Sequence, residues 1–186
     1  CRELTSHLTA PNKEHWTALT HLMGYIKTGS NQGIKMRAPK DTRVVAFVDS
    51  DYASDRGDRK SISGYLVTVG GCLVSWQSKK QTGVTLSSTE AEFIAMSMAA
   101  TEVKFIVSLL TEMGNGPLGS GSPLLPSILR ELNTGAIFMA NNTAIGQWTK
   151  HVDSRYRFVN DMILRNDLLV EHISSGENTS DTMTKN

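Results

Sequence analysis

The segment that most restricts the fold is the run Val44, Val45, Ala46, Phe47 and Val48, five β-prone apolar residues that end at Asp49. A short apolar run bounded by polar residues reads as a buried strand, and an acid at its carboxyl end stands where open α/β sheets place their sites. Residues 50 to 61 then carry Asp51, Asp55, Arg56, Asp58, Arg59 and Lys60, too polar for a core. A second β-prone segment runs from Gly64 to Val69, and the pair Gly70-Gly71 suits a two-residue hairpin turn into Cys72 to Ser78. Three sequential antiparallel strands are therefore expected.

After this meander the period changes. Ser87 can cap a helix, with Glu90 completing a capping box, and Phe93, Met96, Ala100, Val103, Val107 and Leu110 recur every three or four residues to about Met113. Residues 114 to 126 are rich in glycine and proline and read as a mobile loop outside the core. Ile128 to Leu132 is a short strand candidate; Asn133 can cap a helix reaching roughly Trp148. Residues 152 to 165 read as another helix, 168 to 173 as the last strand and 177 to 185 as a terminal helix. Upstream, Trp16, Leu19, Met23 and Ile26 form the apolar stripe of a helix over 12 to 28 that Gly29 stops. Strands alternating with helices after a meander predict an α/β domain with a mixed sheet covered by helices. No internal repeat is present.

Composition narrows the function classes. The 19 basic and 18 acidic residues nearly cancel, so there is no global cationic field and any nucleic-acid site is local. Cys1 and Cys72 offer no metal-ligand spacing and no disulfide framework, which fits a reducing, intracellular compartment. No signal-peptide pattern or membrane-crossing apolar run is expected, and no membrane partner. A start at Cys1 points to a processed product or a piece of something longer.

The strings VVAFVDSDYASD, RKSISGYLVTVGG and VSWQSKKQTGVTLSSTEAEFIA resemble the ribonuclease H segment of copia-type retrotransposons. In that family an apolar strand ends in D-x-D-[WY]-A and is followed by R-K-S-x-S-G-Y, S-W-x-S-K-K-Q and L-S-S-T-E-A-E-[YF]. TKHVDSRYRFV and ENTSDTMTKN are similar to its later motifs, and LTAPNKEHWTALTHLMGYIKTG resembles the stretch that closes the reverse transcriptase. The resemblance implies a tail of that polymerase over residues 1 to 42 and a ribonuclease H-like domain over 43 to 186. It implies a mixed five-stranded sheet, Mg²⁺ or Mn²⁺ held by four carboxylates, and hydrolysis of RNA in RNA–DNA hybrids. The implied partners are hybrid or duplex nucleic acid and the remainder of the polyprotein. The implied location is cytoplasmic, in a virus-like particle, or nuclear.

Carried over by residue, Asp49, Glu92 and Asp181 match three of the four catalytic and metal-binding acids. The fourth does not comply. The family strand ends in D-N-x-x-A-I, whereas here ILRELNTGAI places Leu132 where the aspartate belongs. Leucine offers no lone pair to a cation, so weak metal binding and weak or absent hydrolysis are expected. Glu131 is adjacent, but strand neighbours face opposite ways, and it substitutes only if a bulge or a one-residue shift turns it inward.

Lys79, Lys80, Lys150, His151 and Arg155 are candidate phosphate contacts, set against the plainer reading of solvated surface. Ser87 and Ser88, with Thr89, suit a phosphate or sugar oxygen at a helix start, although capping explains them equally well. His151 and His172 sit in no motif that fixes a general-acid role. Trp16, Trp76 and Trp148 read as packing residues rather than stacking platforms. Besides an impaired ribonuclease H domain, the sequence leaves open a non-catalytic module that grips nucleic acid or protein, and a decayed element copy.

Overall fold

In the computed structural model the described residues are 2–5, 7–37, 41–55, 57–114, 126–142 and 150–185. The chain divides into two compact units, Cys1–Met36 and Arg37–Asn186.

The first unit holds α1 (Arg2–Thr5) and α2 (Lys13–Thr28). Asn12 caps α2 by accepting from the His15 backbone N–H at 2.9 Å, while the His15 ring accepts from the Asn12 N–H. Gly29 ends it by returning its N–H to Tyr25. No residue of α2 is buried, and Trp16, Met23 and Ile26 of the apolar stripe are exposed.

The second unit runs β1 (Val44–Asp51), β2 (Ile62–Val69), β3 (Cys72–Lys80), α3 (Ser88–Glu112), β4 (Ser127–Glu131), α4 (Thr134–Asn141), α5 (Lys150–Leu164), β5 (Leu168–His172) and α6 (Asp181–Thr184). The sheet is mixed and five-stranded in the order β3-β2-β1-β4-β5. The first three strands are antiparallel, and β4 and β5 add in parallel. Gly70 and Gly71, at φ 56° and 81°, turn β2 into β3 through two left-handed positions that only glycine takes without steric cost.

One face of the sheet carries Val44, Ala46, Val48, Val67 and Leu129 into a core closed by Phe93, Met96, Ala99, Ala100 and Val103 of α3. By length and composition α3 could cross a bilayer, contrary to the expectation that no apolar run would be long enough. Its apolar character has another cause here, since Phe93, Met96, Ala100 and Val103 are buried against the sheet.

Several boundaries differ from expectation. β4 begins and ends one residue early, which leaves Leu132 outside the strand. α4 stops at Asn141 rather than near Trp148, and the terminal helix shrinks to four residues. The capping box at α3 is incomplete. Ser87 accepts from the Glu90 N–H, but the Glu90 carboxylate reaches past Ser87 to the N–H of Leu86 at 2.7 Å. Trp76 is not a packing residue, being 56% exposed on the edge strand β3, and Trp16 of α2 is 65% exposed. Trp148 and residues 115–125 of the glycine-proline segment lie outside the described residues.

Candidate active site

Sheet register decides which acids meet. Asp49 is the sixth residue of β1, opposite Gly64 of β2. It has the opposite parity to Ala46 and Val48, and so faces away from α3, toward α6. There the buried hydroxyl of Thr184 donates to its carboxylate. Two features bring α6 so close. The side-chain amide of Asn178 donates to the Val48 carbonyl at 2.8 Å, and its oxygen accepts from the N–H and the hydroxyl of Ser180. Gly64 has no side chain, and a Cβ there would stand 2.7 Å from both Met183 Cβ and Thr184 Cγ2.

The other face supplies Glu92 and Glu131. Glu92 lies in the first turns of α3, buried with the core residues around it. The first turn is tied to β2 by Gln81, whose amide nitrogen donates to Ser63 Oγ at 2.8 Å and to the Ala91 carbonyl at 3.0 Å. Glu131 ends β4 two residues after Leu129, so ordinary alternation aims it at the α3 side, and its exposure is 0%. No bulge is needed. The pairing of β4 with β1 and with β5 is regular, and the Glu131 carbonyl accepts from the Ile173 N–H just past β5. The carboxylate of Glu131 accepts from the N–H of Asn133 at 2.9 Å, and from the N–H of Leu132. Leu132 itself is half-buried and lies outside the core cluster.

The four acids share one electrostatic field. Burial first, then the charge of Asp49, pushes Glu92 up to about 8. Burial first, then Glu92, holds Glu131 well above the usual carboxylate range. Asp49 is raised by burial, partly offset by the Thr184 hydrogen bond, and Asp181 raises it further. Asp181 Oδ2 pairs with the Lys185 ammonium four residues on. Glu92 Oε2, Glu131 Oε2 and Asp181 Oδ1 are buried without a hydrogen-bond partner. Buried carboxylate oxygens left unpaired are costly, and acids whose titration burial and neighbouring charge shift strongly are candidates for a functional site.

The donor chemistry fits a hard divalent cation: Glu92, Glu131 and Asp181 each keep a buried carboxylate oxygen with no hydrogen-bond partner. The geometry is more open. Among the described residues no three acid, histidine or cysteine side chains are arranged to hold one metal ion. Because Asp49 approaches from the α6 face and Glu131 from the α3 face, the acids are offered in smaller sets. Magnesium ordinarily takes one or two carboxylates and completes its shell with water and substrate phosphate.

No family model matches the sequence. The chain is 32% identical over 182 residues to the retrovirus-related Pol polyprotein from transposon RE2 of Arabidopsis thaliana, a match that covers 98% of this chain and 12% of that protein. It is 34% identical over 178 residues to the corresponding polyprotein from transposon TNT 1-94 of Nicotiana tabacum, covering 96% of the chain and 13% of that protein. Over nearly its whole length the chain is homologous to retrovirus-related Pol polyproteins from transposons. It spans about an eighth of the length of those relatives. It is also 37% identical over 103 residues, 55% of the chain and 72% of that protein, to the secreted RxLR effector protein 161 of Plasmopara viticola.

Solved structures place the fold. A ribonuclease H1 isolated from compost, LC11-RNase H1, superposes with a TM-score of 0.54 at 14% identity, covering 76% of this chain and 92% of that one. The foamy viral protease-reverse transcriptase, solved in complex with an RNA/DNA hybrid, superposes at 0.55 and 15% identity over 83% of this chain and 21% of that one. The chain thus carries a ribonuclease H-like fold, within a stretch homologous to retrotransposon Pol polyproteins.

Of the other expected site residues, Lys79, Lys80 and Arg155 come together at one cavity. Lys80 pairs with Asp55 at 2.7 Å and Asp58 at 3.0 Å, so its charge is engaged on the loop between β1 and β2. Lys79, Lys80 and Arg155 line a cavity of about 470 Å³ together with Gln81, Val84 and Ile94. Ser87 is spent on the α3 cap, and Ser88 is exposed at the helix start. Arg155 is exposed; the side chains of Lys150 and His151 lie outside the described residues. Sequence reasoning passed over Gln81, Asn178 and Thr184. Their letters stood in the motifs that carry the family resemblance, but nothing in the spacing announced a hydrogen bond to β1 or to the first turn of α3.

Proposed function

We propose that this domain hydrolyses the RNA strand of RNA–DNA hybrids with Mg²⁺ or Mn²⁺, using Asp49, Glu92 and Asp181, with Glu131 as the fourth carboxylate in place of the absent acid at 132. The observation that carries this reading is three buried carboxylate oxygens without a hydrogen-bond partner, on Glu92, Glu131 and the half-buried Asp181, within the field of Asp49. A bound divalent cation supplies water activation and charge stabilisation at the leaving 3′ oxygen. The residues do the rest: Thr184 fixes the Asp49 carboxylate, Gln81 anchors the helix turn that carries Glu92, and the backbone N–H groups of Leu132 and Asn133 hold Glu131. Glu92 and Glu131 must lose their protons before they can ligate a cation, so activity rises toward alkaline pH. Lys79, Lys80, Ser87, Ser88, Lys150, His151 and Arg155 are proposed backbone contacts to the hybrid.

We further propose that residues 1 to 42 are the end of the polymerase part of the same polyprotein, working in the cytoplasm, a virus-like particle or the nucleus. Weak hydrolysis is expected, because the acids are offered in small sets rather than gathered around one point. That openness also favours a second reading, a module that binds hybrid without cutting it. Incubating a labelled RNA–DNA hybrid with Mg²⁺ or Mn²⁺ at pH 7 and pH 9 separates the two. Cleavage that is abolished by Asp49→Asn supports the first. Binding with no cleavage at either pH, in either metal, overturns it.

A further inference from the structure

The acid cluster has a cation of its own. The ammonium of Lys185 pairs with Asp181 Oδ2, and its field reaches Asp49 and Asp51 as well. Lys185 follows the last turn of α6, with its N–H returned to the Asp181 carbonyl at 3.0 Å, so the helix end presents the side chain back onto the acid. The contact is lopsided. Asp181 Oδ2 takes the ammonium while Oδ1 is buried with no partner, and Thr184, one residue before Lys185, already occupies Asp49. The Lys185 side chain is 61% exposed, against 27% for Asp181, so it can withdraw into water without unpacking anything.

We infer that Lys185 is a resident counter-cation: it neutralises Asp181 when no metal is bound, and a divalent ion arriving at Asp181 must displace it. This rests on the proposed metal site and deepens it by naming a residue that sets metal affinity without ligating the metal. The physical reason is competition for the same oxygens. A lysine ammonium is a compact point charge on a flexible stem, suited to leaving and returning, and a cation parked beside the site also repels an incoming divalent ion. An exposed ion pair of this kind is worth little, so displacement is a tax on binding rather than a block.

The test is Mn²⁺ binding to the full chain, read by titration calorimetry or by loss of the free-ion resonance signal, at one fixed pH and low salt. Lys185→Met is expected to bind Mn²⁺ about twofold to fivefold more tightly than the unmodified chain, the factor that corresponds to losing one exposed ion pair. Lys185→Arg, which keeps the charge, is expected to stay close to the unmodified chain. In an Asp181→Asn background the gain from Lys185→Met should vanish, because the competition acts through that acid. Unchanged or weaker binding in Lys185→Met, while Asp49→Asn still abolishes binding, overturns this inference and leaves the metal site standing. No Mn²⁺ binding at millimolar concentration in any variant overturns both. Thermal melting of each variant checks folding, which an exposed side chain after the last helix is not expected to disturb.

Discussion

The hydroxyl of Thr184 donates to the carboxylate of Asp49, two buried residues 135 positions apart that join the last helix to the first strand. Burial raises the Asp49 carboxyl most, this donor lowers it, and Asp181 raises it further. Thr184→Val keeps the shape and removes the donor. The expected loss is about 1 to 3 kcal/mol of stability, the penalty for a buried acceptor left unpaired. Thr184→Ser should recover most of it. Denaturant unfolding of the three chains measures the difference.

Gly64 makes that contact possible. A Cβ at this position would overlap Met183 Cβ and Thr184 Cγ2, atoms of a packed helix rather than the tip of a flexible chain. Gly64→Ala should therefore push α6 off β2 and cost about 1 to 3 kcal/mol, as overpacking does. It should also weaken Mn²⁺ binding, because Asp181 travels with α6. A variant as stable as the parent with unchanged Mn²⁺ affinity would show that α6 is not held at this point.

The sheet was legible because its signals are local: an apolar run, a glycine pair at a hairpin, then a three-to-four residue period. Motif letters alone make Asp49, Glu92 and Asp181 candidates. The sequence misleads on the facing of Glu131, because which face a strand's last residue takes depends on where the strand ends. With the strand ending at 132, Glu131 seemed one residue out of phase. With the strand running from Ser127 to Glu131, Leu129 and Glu131 both face α3 and no bulge is required. Thr184, Asn178 and Gln81 were opaque for a different reason. Each acts through a hydrogen bond to a residue distant in sequence, and tertiary contacts of that kind leave no periodicity.

Stability of the metal-free chain should fall as pH rises. Glu92 is held up to about 8, and Glu131 is held well above its ordinary value of 4.5. An acid whose folded pKa is raised binds its proton more tightly when folded. Its favourable contribution is complete below about 4.5 and is lost as pH climbs through the folded value. The unfolding midpoint should therefore drop between about pH 5 and pH 8.5. Glu92→Gln should flatten that decline, and Mg²⁺ or Mn²⁺ should restore stability at the alkaline end by binding only the folded, deprotonated site. A midpoint independent of pH over this range, without metal, would contradict the raised values.

The last prediction separates Glu131 from Leu132. Glu131 is wholly buried, in a field that already disfavours its charge, so Glu131→Gln should stabilise the metal-free chain at pH 8. If Glu131 is the fourth ligand, the same change should weaken Mn²⁺ binding and hybrid cleavage. Leu132 is half-buried and outside the core cluster, so Leu132→Asp should cost less than the roughly 1.5 to 3 kcal/mol of a fully buried leucine. It places a fifth acid beside Glu131, which should lower metal-free stability at pH 8 and strengthen Mn²⁺ binding. The double variant decides between them. If Glu131→Gln leaves Mn²⁺ affinity and cleavage untouched while Leu132→Asp raises both, position 132 is the ligand position and Glu131 is a buried structural acid. If Glu131→Gln removes binding and Leu132→Asp restores it in that background, either position can serve, and this chain has moved the fourth carboxylate one residue along the strand.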